Sequence, residues 1–123
     1  MTLNIPCYLM DRGAGLISPV PRTIQVPHGE SVTLVGKVHR DDLTFPNLSG
    51  ATITFRLVTY ASGAKLYETT STNGSRDGDF TLTVALPTSI QPGTYAWDLW
   101  LSLDGALRSI HPLSAWKSVL SSR

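Results

Sequence analysis

The sequence predicts an all-β fold, a β-sandwich of about seven short antiparallel strands preceded by an extended N-terminal arm. Three observations carry this. Residues Ala51 to Leu57 alternate apolar and polar side chains, with Ile53, Phe55 and Leu57 on one face and Thr52, Thr54 and Arg56 on the other. Phe80, Leu82, Val84 and Leu86 repeat the alternation with Thr partners. Turn signals then recur at the spacing of a sandwich, roughly every 8–12 residues. A strand buried on one face needs a second sheet to cover that face, which makes two packed layers.

The elements follow in order. Residues 1–21 carry Pro6, Gly13, Gly15, Pro19 and Pro21 among scattered apolar residues, so they form no long helix. They are too apolar for a free tail. They read either as an arm that docks on another molecule or as an extra edge strand on their own domain. Residues 22–123 form the sandwich. Thr23 to Val26 is the first strand, closed by the turn Pro27-His28-Gly29-Glu30. Ser31 to Val38 is the second, with Val32, Leu34 and Val38 inward and Gly36 marking a bulge or a close approach. Arg40 to Asn47 is a polar loop. Ala51 to Thr59 and Lys65 to Thr70 pair around a turn at Ala61-Ser62-Gly63, and Asn73-Gly74 turns the chain into the strand Gly78 to Leu86. Pro87 to Gly93 crosses over.

Thr94 to Leu103 places Tyr95, Trp97, Leu99, Leu101 and Leu103 inward and Trp100 outward, and Asp104-Gly105 makes a tight hairpin. The last segment, Leu107 to Leu120, contains Pro112, which makes it an edge strand or two short strands split at the proline; the facing of Trp116 and Val119 stays open. This succession matches an immunoglobulin-like sandwich that lacks the inter-sheet disulfide.

Composition narrows the function classes. A chain of 123 residues is one domain, long enough to build a core without staples. Only 15% of residues are charged, against the usual ~25%, which suits a surface packed against neighbours. A net charge of +1 gives no electrostatic reason for a nucleic acid or an anionic membrane as partner. Cys7 is the only cysteine, so no internal disulfide forms. No apolar run approaches the ~20 residues of a membrane span, and the N-terminus lacks the pattern of a signal peptide. The expectation is a soluble, non-exported product.

The order of these pieces resembles a known family. Gly29-Glu30-Ser31-Val32, Leu48-Ser49-Gly50-Ala51-Thr52-Ile53-Thr54-Phe55, Gly78-Asp79-Phe80-Thr81-Leu82 and Pro92-Gly93-Thr94-Tyr95 come in sequence before the Asp104-Gly105 hairpin. Over about residues 23–120 this is similar to the N-terminal domain of phage baseplate upper proteins and to immunoglobulin-like domains of phage tail and virion proteins. The resemblance implies a non-enzymatic structural component of a virion, assembled in the host cytoplasm and present in multiple copies. Its partners would be tail/baseplate or capsid proteins. Baseplate upper proteins continue into fibre-like regions, whereas the sequence given ends at Arg123 and opens with an arm; a capsid decoration protein fits equally.

No motif for catalysis appears, so no catalytic residue, cofactor or metal is assigned. His28, His39 and His111 lack ligand spacing and read as surface histidines. Cys7 reads as a buried or contact-making thiol. Asn73 to Gly78 resembles half a calcium loop, but Val84 stands where the bidentate glutamate belongs, leaving a polar hairpin loop. Asn47-Leu48-Ser49 and Asn73-Gly74-Ser75 are formal glycosylation sequons with no export route. Asp41-Asp42 diverge on an extended chain and read as a solvated loop face. The candidate partner-binding residues are Leu3, Ile5, Tyr8, Leu9, Leu16 and Ile17 in the arm and Trp100 on the sheet. An alternative function is a glycan-binding adhesion module that stacks sugars on Trp100, Tyr60 or Tyr67.

Overall fold

Alternating apolar residues build two sheets that close on one core. The computed structural model describes residues 1–120. Its strands are β1 (Thr2–Leu9), β2 (Ile24–Pro27), β3 (Val32–Arg40), β4 (Thr52–Val58), β5 (Lys65–Ser71), β6 (Asp79–Val84), β7 (Gly93–Leu103) and β8 (Ala106–Val119). One sheet has the order β1-β3-β6 and the other β2-β8-β7-β4-β5. The sandwich expected from the sequence is therefore present, with one strand more than the seven counted. Among the described residues no helix is long and apolar enough to cross a membrane.

The core is the set of inward side chains that the alternation selects. Leu34, Phe55, Phe80, Leu82, Trp97 and Leu99 are all nearly or fully buried. Trp97 lies at the centre, stacked on Phe55 on one side (centroids 5.9 Å apart) and on His111 on the other (4.3 Å). Its indole Nε1–H donates to the Ala115 carbonyl at 3.1 Å, so the buried donor is satisfied. Trp116 packs edge-on against Phe55 and is 1% exposed, which settles its facing inward. Gly36 marks a close approach: a Cβ there would lie 2.2 Å from the Phe80 ring. The hairpin at Asp104-Gly105 has both residues at positive φ, 52° and 78°, as a primed two-residue turn requires.

Residues 1–21 are not an arm throughout. Thr2–Leu9 is an integral strand, paired in parallel with β3 from Thr2↔Thr33 to Leu9↔Arg40. Its period-two pattern buries Ile5, Cys7 and Leu9 to 2% exposure or less. Pro6 obscured that pattern. It is tolerated because β1 is an edge strand with a neighbour on one side only. The sandwich thus begins at residue 2, and only residues 10–23 form a connector, which leads from the end of β1 to β2 in the opposite sheet. Two pairings, β1 with β3 and β2 with β8, are parallel, unlike the all-antiparallel arrangement expected.

The last strand is a second correction. β8 is one continuous strand, and it lies inside its sheet between β7 and β2. Pro112 does not break it, because the register with β7 shifts there: Trp97 pairs with Ser114 and Leu99 with His111, leaving Pro112 and Leu113 opposite Asp98 in a bulge. On the other side β2 pairs only from Trp116 onward. The missing N–H of Pro112 therefore costs no ladder bond on either side.

Two substitutions test this account. Ile5→Ala should destabilise the isolated domain by about 2–5 kcal/mol, as for a buried core side chain and not a docking contact. Gly36→Ala should cost about 1–3 kcal/mol through overpacking against Phe80. Chemical denaturation read by tryptophan fluorescence measures both; an unchanged midpoint for Ile5→Ala would return β1 to the status of a loose arm.

Candidate interaction surface

The outer face of the five-stranded sheet carries a half-buried ion pair whose guanidinium lies over a tryptophan. Arg56 on β4 and Asp98 on β7 are register partners, so their side chains leave the sheet side by side. The guanidinium binds the carboxylate in a bidentate fork, Nε to Oδ1 at 3.0 Å and Nη2 to Oδ2 at 2.6 Å. Asp98 is 6% exposed. The hydrogen bond to Asp98 raises the Arg56 pKa further above its ordinary value. The guanidinium carbon also sits 5.1 Å from the centre of the Trp100 ring. Thr54, Arg56, Lys65, Glu68, Trp100 and Leu107 line a shallow hollow of about 400 Å³ here, with Lys65 and Glu68 paired at 2.7 Å across its rim.

Trp100 is thus on the outer face, as the alternation requires, but it is half-buried and one neighbour already stacks on it. The other aromatic residues expected to join it in a sugar platform do not. Tyr67 points inward, edge-on to Phe55, and its hydroxyl accepts from the Ala85 amide. Tyr60 lies 57% exposed in the turn after β4.

The expected arm residues divide into two groups. Ile5 and Leu9 are core, and Leu3 packs against the core, so none of the three is available to a partner. Leu16 (63% exposed) and Ile17 (half-buried) belong to the connector. Tyr8 lies on the outer face of the three-stranded sheet in a row the sequence did not reveal: its ring is 5.8 Å from His39, which meets Phe45 edge-on at 5.0 Å. Lys37 caps Phe45 at 4.4 Å. Tyr8 and His39 are cross-strand partners, and that register could not be read before β1 was known to be a strand.

The four sheet edges differ. β1 carries Pro6 in mid-strand, and β2 is four residues long and ends at Pro27. β6 is flanked by its own loop, since Gly74 bridges Phe80 and the Thr81 amide donates to the Asn73 carbonyl. β5 is seven residues long, contains no proline and pairs only with β4. Edge strands that are not blunted in these ways accept a further strand most readily.

Two titratable groups lie where the sequence did not place them. His111, expected at the surface, is 3% exposed and stacked on Trp97; its Nδ1–H donates to the Pro112 carbonyl at 2.9 Å. Burial holds its pKa below 6.5; the hydrogen bond to the Pro112 carbonyl opposes the shift, Arg22 adds to it and Asp98 weakly opposes it. Cys7 is fully buried, and desolvation pushes its thiol up to about 12, so it is inert at neutral pH. Asp41, expected to be solvated, is 1% exposed and binds the Arg12 and Gly13 amides. Ser75 closes the Asn73–Gly78 loop on itself by accepting from the Asp77 and Asp79 amides. Among the described residues no group of three or more His, Cys, Asp or Glu is placed to hold a metal ion.

Comparison with solved structures gives a likeness in fold. No family model matches the chain, and no curated protein matches it. Among solved structures the chain is similar to the N-terminal domain of phage TP901-1 ORF48, with 12% sequence identity and a TM-score of 0.57. The alignment covers 96% of this chain and 98% of that one. At that identity the likeness shows the fold.

The geometry of His111 fixes the sign of a pH effect. Its folded pKa lies below the unfolded value, so the unfolded chain binds more protons once the pH falls below that unfolded value. Stability should be full above about pH 6.5 and decline as the pH falls below it, before the carboxylates titrate. His111→Phe, which keeps a ring on Trp97, should flatten the melting temperature between pH 7.5 and 5.5; an unaltered slope would place the titrating group elsewhere. Separately, Arg56→Met should destabilise the fold by about 1–3 kcal/mol, because it strands a nearly buried carboxylate. Thermal denaturation of Arg56→Met with Asp98→Asn added should recover part of that loss.

Proposed function

We propose that the chain is a non-enzymatic structural module of a bacteriophage particle, a rigid sandwich that attaches to larger tail, baseplate or capsid proteins. The observation that carries this reading is the end-to-end likeness in fold to the N-terminal domain of a phage protein, nearly complete over both chains. The resemblance of the Leu48–Phe55 and Pro92–Tyr95 segments to baseplate upper proteins points the same way. Fold alone does not fix function, so the surface must supply the means of attachment.

Three features do so. β5 is an edge open to strand addition by a partner. The connector displays Leu16 at 63% and Val20 at 72% exposure. Trp100 and Leu107 offer an apolar lip beside the Arg56–Asp98 pair, and such an aromatic anchor contributes most when a partner desolvates it fully. Repetition around a symmetric particle multiplies weak contacts of this kind, so a modest affinity per copy is sufficient. The particle would then be the protein's location, with several copies in each.

Mass spectrometry of gradient-purified particles from the host that makes the chain should recover it in multiple copies per particle. Leu16→Asp and Trp100→Ala should each lower incorporation about tenfold, equivalent to ~1.4 kcal/mol per site, with the circular dichroism of the folded domain unchanged. A chain that stays in the soluble lysate, or one that binds sugars on a glycan array and ignores particles, would overturn the reading.

A further inference from the structure

The connector between β1 and β2 is fastened at its two ends and slack between them. At its start, Asp41 lies beyond the end of β3, with its own amide donating to the Leu9 carbonyl. Its carboxylate is 1% exposed, and both oxygens are occupied: Oδ1 accepts from the Arg12 amide at 2.9 Å and Oδ2 from the Gly13 amide at 2.7 Å. Beside it, Arg40 pairs with Asp11. At the far end, the Arg22 amide donates to Ser114 Oγ at 3.0 Å and the Arg22 guanidinium to the Asn4 carbonyl at 2.9 Å. These bonds tie the segment across the flank where β1 of one sheet faces β8 of the other.

Between the two fastenings, among the described residues, no hydrogen bond or ion pair holds residues 14–20. Gly13 and Gly15 have positive φ, 70° and 68°, with no atom within 4 Å of where a side chain would begin. Leu16 and Val20 face solvent. Alongside the segment two open hollows of about 110 and 270 Å³ share Tyr8, His111 and Pro112 as lining, with Ser18, Pro19 and Val20 on the connector side. A segment packed as core would leave no such spaces. β1, by contrast, is held by a full ladder and three buried side chains.

We propose that residues 10–21 form a strap latched by the Asp41 carboxylate, and that release of this latch lifts the strap off the flank while β1 stays in its sheet. Lifting uncovers Tyr8, Ile110, His111 and Pro112 and frees Leu16 and Ile17 to reach beyond the domain. The strap itself is the occupant of the flank in the closed form. This geometry stands apart from the particle reading: the latch exists or fails whatever the chain attaches to.

Trypsin reads the latch directly, because the Arg12–Gly13 peptide is the one whose N–H Asp41 Oδ2 holds. Asp41→Asn should speed cleavage after Arg12 at least about tenfold, the effect of ~1.4 kcal/mol on a local opening. Its circular dichroism should stay that of the wild type. Hydrogen exchange should quicken at the Arg12 and Gly13 amides, the two that Asp41 holds, and remain slow in β1. An unchanged cleavage rate, or loss of β1 protection together with the strap, overturns the proposal. The wild type gives the same test without a substitution. Its Arg12 and Gly13 amides should exchange by a local opening insensitive to denaturant, whereas β1 and β3 exchange on global unfolding. A single shared opening overturns the latch.

Discussion

The sandwich depends on the stack of Phe55, Trp97 and His111. Phe55 comes from β4, Trp97 from β7 and His111 from β8, three adjacent strands of one sheet, so the stack runs across the sheet and ties its middle together. It also sets what the sheet cannot do. A histidine at this depth must be neutral and must spend its Nδ1–H on a local acceptor, which the Pro112 carbonyl supplies. That bond fixes the backbone just where the register against β7 shifts. The bulge in turn lets a proline sit inside an interior strand. The packing of one ring thus accounts for an irregularity that looks, in the linear sequence, like the end of a strand.

The parts of the fold legible in the sequence were those governed by a local rule. β4 and β6 show an uninterrupted alternation, and their bounds emerged within one or two residues. Gly36 and the Asp104-Gly105 hairpin followed from what only glycine, or a primed turn, permits. β1 and β8 were harder for a shared reason. Each contains a proline, and whether a proline breaks a strand depends on which side of it needs a hydrogen bond. That is a property of neighbours far away in the chain. Asp41 was misread likewise: an Asp-Asp pair in a polar loop reads as solvated, and only the return of residues 12 and 13 supplies the amides that bury one carboxylate and leave the other outside.

The candidate surface was legible only in its alternation. Trp100 lies on the outer face because Trp97, Leu99 and Leu101 define the inner one. That Arg56 would reach over it was not readable, since the contact needs the β4–β7 register. Tyr60 and Tyr67 do not share a face with Trp100, and this too was unreadable without the register. The Tyr8–His39–Phe45 row joins a segment that read either as an arm or as an edge strand to a loop expected to be polar, so no signal along the chain could have assembled it.

Charge placement connects these surfaces to the kind of partner they suit. Arg56 pairs with Asp98, Lys65 with Glu68, Lys37 with Asp79 and Arg40 with Asp11. Each pair neutralises a charge close to an interaction feature: the Trp100 hollow, the β5 edge, the Phe45 ring and the strap. In a chain with few charges to begin with, this leaves the outer faces without a strong local field. Such faces gain little from long-range steering, which raises association rates through net charge on a patch. Binding then rests on fit, on apolar contact and on main-chain hydrogen bonds at an open edge. Those interactions are short-ranged and insensitive to salt, and they become effective when a larger structure already holds the copies in register.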